Sequence, residues 1–295
     1  MSTDVNPLTI VTPRSRRRRR VGMVMELLAT AAALLAIVVL GIVVVSVARR
    51  GLPAINTDFF TENPAPVFQT GGGIKNAIVG TLIMTGMATL ISVPFGVLVA
   101  IFNTEFAPPP VAEGIRIALN VLAGVPTIVI GIFIFGLLVV GNGQSAITAA
   151  VGLAIVMVPL IARATEEVLL LVPPALREGG MALGATRART VITVILPTAV
   201  GGIVTATIVA VARAAGETAP LLFTSSIFAN AVVTDVHQAM ASIPLTIFVD
   251  SESPSVADQQ TAWAAALVLI AGVLIMGIAG RALSLRTRRQ IEKAR

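Results

Sequence analysis

Six apolar stretches constrain this chain more than any motif it carries. They run over Gly22–Ala48, Ala77–Phe102, Ile117–Val140, Ser145–Ala162, Thr190–Val211 and Trp263–Leu283. Each is long enough to cross a hydrocarbon core, which takes about 17–25 helical residues. A lipid-exposed backbone must satisfy its own hydrogen bonds, so such spans are helices or strands of a closed barrel. These runs lack the two-residue alternation of a barrel strand. The expected fold is all-α and integral to the membrane, with six transmembrane helices. Composition agrees: 56% of residues are hydrophobic and 12% charged, where a soluble domain has about 25% charged.

Charge placement orients the spans. With the N-terminus inside, the cytoplasmic side carries Arg14, Arg16 to Arg20, Arg116, Arg163, Arg177, Arg187, Arg189 and the basic tail from Arg281 to Arg295. The other side carries Arg49, Arg50 and Lys75. This is the positive-inside pattern of a bacterial cytoplasmic membrane protein, and an even number of spans puts both termini in the cytoplasm. It also accounts for the net charge of +6 without a nucleic-acid partner. The run after Arg16–Arg20 is too long for a signal-peptide core and reads as an uncleaved first span. The organisation read from this is a basic tail (1–21), a first span (22–48), a core of five spans (77–283) and a second basic tail (284–295). The core contains a cytoplasmic loop at 163–189 and an outer loop at 214–262. Residues 51–76, rich in Pro and Gly, are expected to be mostly irregular. Trp263 is placed at the outer start of the last span, where an indole suits the interface.

Several chemistries are excluded or unsupported. There is no cysteine and a single histidine, His237, which rules out disulfides, thiolate chemistry and a His-based metal cluster. The Gly71–Gly72–Gly73–Ile74–Lys75 run places Ile where a phosphate-binding loop needs Gly. No constellation for an enzyme is visible, and Asp235 with His237 reads as solvated surface.

Two polar segments stand out. In the cytoplasmic loop, Pro174 opens a short helix expected from Ala175 to about Leu183, and Gly184 suits its stop. Gly179 and Gly180 leave this helix a bare face and make it weak alone, so it needs a partner surface. On residues alone, an amphipathic connector remains possible. The second segment, Arg213-Ala-Ala-Gly-Glu217-Thr218-Ala-Pro-Leu-Leu, follows the fifth span. Arg213 and Glu217 share a face if the helix continues, while Gly216 and Pro220 point to a break. An arginine at membrane depth suits an oxyanion, because its planar fork can bind two oxygens. A structural ion pair is the other reading. Gly124–Val–Pro126 and Met157–Val–Pro159 are expected to kink the third and fourth spans, and Thr127 and Asn120 are further candidates for the path.

Glu178, Gly184, Leu196 and Pro197 keep the spacing of the EAA loop of ABC-importer permeases, with Gly179–Gly180 replacing two alanines and Val194 replacing isoleucine. RAAGETAPLL resembles the PstA-type permeases of the Pst phosphate importers, type I ABC importers with a MetI-like transmembrane domain. The resemblance implies a permease that is not itself an enzyme. It implies a heterodimer with a PstC-type sister permease, with membrane lipid around it. Two PstB-type ATPases at the cytoplasmic face would hold ATP and Mg, and a PstS-type phosphate-binding protein would dock outside. It further implies a substrate path at Arg213, Glu217 and Thr218. ATPase coupling is implied through Arg177, Glu178, Gly179, Gly180, Ala182, Leu183, Gly184 and Ala185. A permease for sulfate or molybdate is the nearest alternative, and a secondary transporter or channel working without an ATPase is another.

Overall fold

A computed structural model describes residues 13–65, 71–226 and 229–293. The chain divides into two compact units, residues 1–49 and 50–295. The first is built on α1 (Pro13–Gly51), a helix with mostly apolar, exposed side chains. Arg16 to Arg20 belong to this helix rather than to a separate tail, since nothing between Arg16 and the apolar run breaks a helix. Residues 1–12 of the expected tail lie outside the described residues.

The regular structure of the second unit is helical, and its described residues hold only one isolated antiparallel bridge, Pro64 to Gly72. A 3-10 turn (Leu52–Ala54) and a short helix α2 (Thr57–Thr61) interrupt the segment expected to be irregular. The Asn56 side chain caps α2 by accepting from the Phe59 N–H. Its centre is a pair, α3 (Lys75–Ile101) and α6 (Ala146–Leu170). Their contact is lined by Met84 and Ala88 on α3 and by Ala149, Ala150, Leu153, Ala154, Met157 and Ile161 on α6. Small side chains let the axes approach closely, which is how helices associate where hydrophobic burial adds little. α9 (Leu196–Ala214) packs on α6 and on α12 (Val256–Lys293). The last basic residues are therefore helical, apart from residues 294–295, which lie outside the described set.

Two expected spans are corrected. The third is not one helix: α4 (Pro109–Gly124) and α5 (Thr127–Ile134, extended by a π turn to Val139) meet at 92°. Pro126 removes an amide and holds Val125 in an extended conformation (φ −66°, ψ 129°). The fourth span does not stop at Ala162. α6 runs on to Leu170 and passes through Pro159, because Arg163, Glu166 and Glu167 all tolerate helix. Residues 163–170 of the expected loop are thus helical. Among the described residues five helices are long and apolar enough to cross a membrane, or six if the bent pair counts as one span.

The outer segment folds as α10 (Ala219–Thr224) and α11 (Ile243–Glu252), joined by irregular chain. That chain is tied to the core: the carbonyls of Val236 and Gln238 accept from the first amides of α6, and the Met240 carbonyl accepts from Ser225 and Ser226. Trp263 lies two turns into α12, with the Arg50 guanidinium 4.8 Å from its ring centre, close enough for a cation–π contact.

Candidate functional site

The cytoplasmic segment forms α7 (Pro174–Ala182), close to the expected limits. Pro174 sits at N1, where its missing amide costs nothing. At the other end Gly184 has φ +82°. Its N–H donates to the Met181 carbonyl and that of Ala185 to the Gly180 carbonyl, the paired bonds of a Schellman stop. No residue of α7 is buried. Glu178, Gly179, Ala182, Leu183 and Gly184 are exposed, and Leu183 keeps 90% of its surface open. The two glycines differ. A Cβ on Gly180 would lie 2.7 Å from the Thr190 Cγ2, whereas one on Gly179 would meet nothing within 4 Å. Gly180 thus admits this chain's own α8 (Arg187–Thr190), and only Gly179 offers a bare face outward.

Arg177 faces inward. Its Nε and Nη2 donate to the Glu105 carboxylate at 2.9–3.3 Å, and its Nη1 and Nη2 donate to the carbonyls of Val172 and Leu169 at 2.6 and 2.7 Å. Glu105 is 2% exposed. Breaking such a buried pair by removing one partner costs about 3–5 kcal/mol. Glu105 lies in a π turn (Phe102–Phe106) that ends the α3 span. From the same turn Asn103 donates to the Glu166 carboxylate, which also holds Arg116 of α4 at 2.6 Å. A cavity of about 310 Å³ lies beside Glu105, Arg177, Met181, Arg187 and Thr190. The sequence gives no sign of these partners, because Glu105 and Arg177 are 72 residues apart.

The second segment breaks where Gly216 and Pro220 suggest. α9 stops at Ala214, and α10 starts at Ala219, packed on α5 and α6. Across the break the Arg213 Nε lies 3.7 Å from the Glu217 Oε1, with the arginine side chain 65% exposed. A pair this open contributes about 0–1 kcal/mol. Arg213 opens on a cavity of about 280 Å³ that Thr127, Val156, Pro159, Leu160, Arg163 and Glu167 also line. Val156 to Leu160 form the middle of α6, so the cavity lies beside the centre of that helix, while Arg213 itself stands in the last turn of α9, at the end of the candidate span Arg187–Ala214. Glu217 and Thr218 do not line this cavity. Thr218 precedes α10, where its carbonyl accepts from the Leu222 N–H. Arg163 and Glu167 are brought to the same wall, a placement hidden by counting Arg163 as a loop charge. Among the described residues Arg163 forms no ion pair.

Two carboxyls outside the spans have altered proton affinity. The His237 N–H and the Gln238 amide both donate to Asp235 and hold its carboxyl below the usual range. Partial burial pushes Asp250 on α11 up to about 7, helped by the negative charge of Asp258.

A helical unit with one sharply bent helix pair, an exposed short helix and an arginine opening on a cavity between helices has the parts of a transport permease. Residues 92–289 match the family of binding-protein-dependent transport system inner membrane components. The chain is 40% identical over 242 residues to the probable phosphate transport system permease protein PstA of Methanocaldococcus jannaschii, covering 80% of this chain and 84% of the relative. It is 34% identical over 282 residues to the phosphate transport system permease protein PstA of Yersinia pestis, covering 94% and 95%. In fold it is similar to a bacterial alginate ABC transporter solved with its alginate-bound periplasmic protein (TM-score 0.63, 15% identity, 91% of this chain and 96% of that one). It is also similar to the MetNI methionine ABC transporter in an inward-facing state (TM-score 0.56, 20% identity, 73% and 94%). The chain belongs to the binding-protein-dependent inner-membrane transport components, in the group formed by the PstA permeases.

Proposed function

We propose that this chain forms one half of the translocation path of an ATP-driven importer of inorganic phosphate. The observation that carries the reading is Arg213 at an interrupted helix, opening on a cavity at mid-depth of α6. A guanidinium presents paired donors that match two oxygens of a tetrahedral oxyanion. Its pairing with Glu217 is long and exposed, so an arriving anion exchanges for the carboxylate at little cost. The amides of Ala215, Gly216 and Glu217 at the break are taken up by the carbonyls of Val211, Arg213 and Ala214, so the guanidinium, and not the backbone, is the group offered to the substrate. Arg163 and Glu167 on the same wall offset one another in charge and leave Arg213 as the net positive group of the cavity.

The sister PstC-type permease supplies the opposite wall. The exposed face of α7, from Glu178 through Leu183 to Ala185, docks into a PstB-type ATPase, one of two that hold ATP and Mg. A PstS-type protein delivers phosphate from outside. The permease makes and breaks no covalent bond. It is a two-state element whose populations are shifted by the ligands of its partners. Both termini face the cytoplasm.

The test is uptake into proteoliposomes that hold this chain, its sister and the ATPase, with the binding protein outside. Uptake that needs internal ATP and is competed by arsenate but not by sulfate supports the reading. ATP-driven uptake of sulfate or molybdate replaces the substrate and keeps the architecture. Uptake by this chain alone, without ATP, overturns the assignment in favour of a secondary transporter.

A further inference from the structure

Glu105 is a buried carboxylate with no place in the translocation path, and its contacts join elements that the chain otherwise links only loosely. One guanidinium, that of Arg177, holds Glu105 at the end of the α3 span together with the Leu169 and Val172 carbonyls at the end of α6. The Leu169 carbonyl also accepts from the Val172 N–H, so this arginine adds a second donor at the last turn of α6 and ties the Val172 carbonyl just beyond it to α7. The rest of the π turn extends the grip. Asn103 donates to Glu166 of α6, Glu166 holds Arg116 of α4, and the Phe106 ring lies 5.8 Å from the Arg187 guanidinium of α8. Covalently, α7 is joined to α6 only through Leu171, Val172 and Pro173. Without the lock, a force on α7 would reach α8 and the π turn after it, against which α7 packs, but would bend the connection to α6.

We propose that Glu105 is a positioning residue for energy coupling. It fuses α7 and the ends of α3 and α6 into one block, so that displacement of α7 is passed to the α3–α6 pair. The α6 wall of the Arg213 cavity, with Arg163 and Glu167, belongs to that pair. This rests on the reading of α7 as the ATPase-docking helix. It assigns Arg177 an inward, transmitting task, while Glu178 and Leu183 face the partner.

The experiment uses the complete complex in proteoliposomes and reads phosphate imported per ATP hydrolysed. Glu105→Gln keeps the size and removes the charge. The expected result is an assembled complex whose ATP hydrolysis stays within about twofold of wild type while phosphate per ATP falls about tenfold. Arg177→Lys keeps the charge but gathers its donors on one nitrogen in place of the planar fork that spans Nε, Nη1 and Nη2, and shifts the ratio in the same direction. The chain has no cysteine, so spin labels at Leu98→Cys and Leu183→Cys, both exposed, report the block directly. Their distance distribution is narrow in wild type with and without ATP and broad in Glu105→Gln. Wild-type coupling ratios in both variants, or a narrow distribution in Glu105→Gln, overturn the proposal. If Glu105→Gln does not assemble, Arg177→Lys decides by the same two readouts. A wild-type complex that hydrolyses ATP but imports no phosphate overturns the substrate reading instead, and the label distances still judge the block.

Discussion

Arg213 shares its cavity with Arg163, Glu167 and Thr127 among otherwise apolar side chains. Arg213→Ala leaves assembly intact and lowers initial phosphate uptake by roughly 10–100-fold, the loss expected for charge-assisted hydrogen bonds. Arg213→Lys, which keeps the charge but not the fork, falls between. Uptake rates in proteoliposomes with matched protein amounts check both. Asp250 gives a prediction with a sign. Its carboxyl is raised in the fold from 3.8 to about 7, so its contribution to stability is fully present below the unfolded value and is lost as pH rises through about 7. Thermal unfolding of the purified complex between pH 5 and 8 shows that loss, and Asp250→Asn flattens the profile. At this scale the sequence was informative only over short separations. Arg213 and Glu217, four apart, could be read as a pair. Glu105 could not be matched with Arg177, because local spacing holds no information on which span ends meet.

α7 was legible almost to its limits because proline and glycine mark its two ends with a backbone requirement and not merely a preference. Gly184→Ala forces a Cβ into the left-handed region at about 1–2 kcal/mol. It weakens docking of the ATPase roughly tenfold, measured as binding of the isolated ATPase to the permease pair in detergent. The third span was misjudged for the opposite reason. Its apolar run is continuous across Gly124–Val125–Pro126, and hydropathy cannot distinguish a mild proline kink from the 92° break observed. α6 outran its expected end because charged residues mark the limit of lipid but not of helix. Arg163, Glu166 and Glu167 are good helix formers that turn inward to a cavity or to partners.

The count of spans and their all-helical class follow from hydropathy alone, since the bilayer leaves so few backbone solutions. Their orientation is testable with the same cysteine-free background. A membrane-impermeant maleimide labels Asp235→Cys in intact cells and reaches Leu183→Cys only after the membrane is opened. The reverse pattern would invert the topology. Arg213 stands at one end of a nearly uninterrupted run, Arg187–Ala214, of 28 residues, and four residues separate its other end from α7. Such a rod is roughly 42 Å long. It works as a lever: a tilt of only about 10° at the cytoplasmic end swings the far end through roughly 7 Å. A rotation small enough to leave side-chain packing largely in register therefore displaces Arg213 by more than about twice the length of a hydrogen bond.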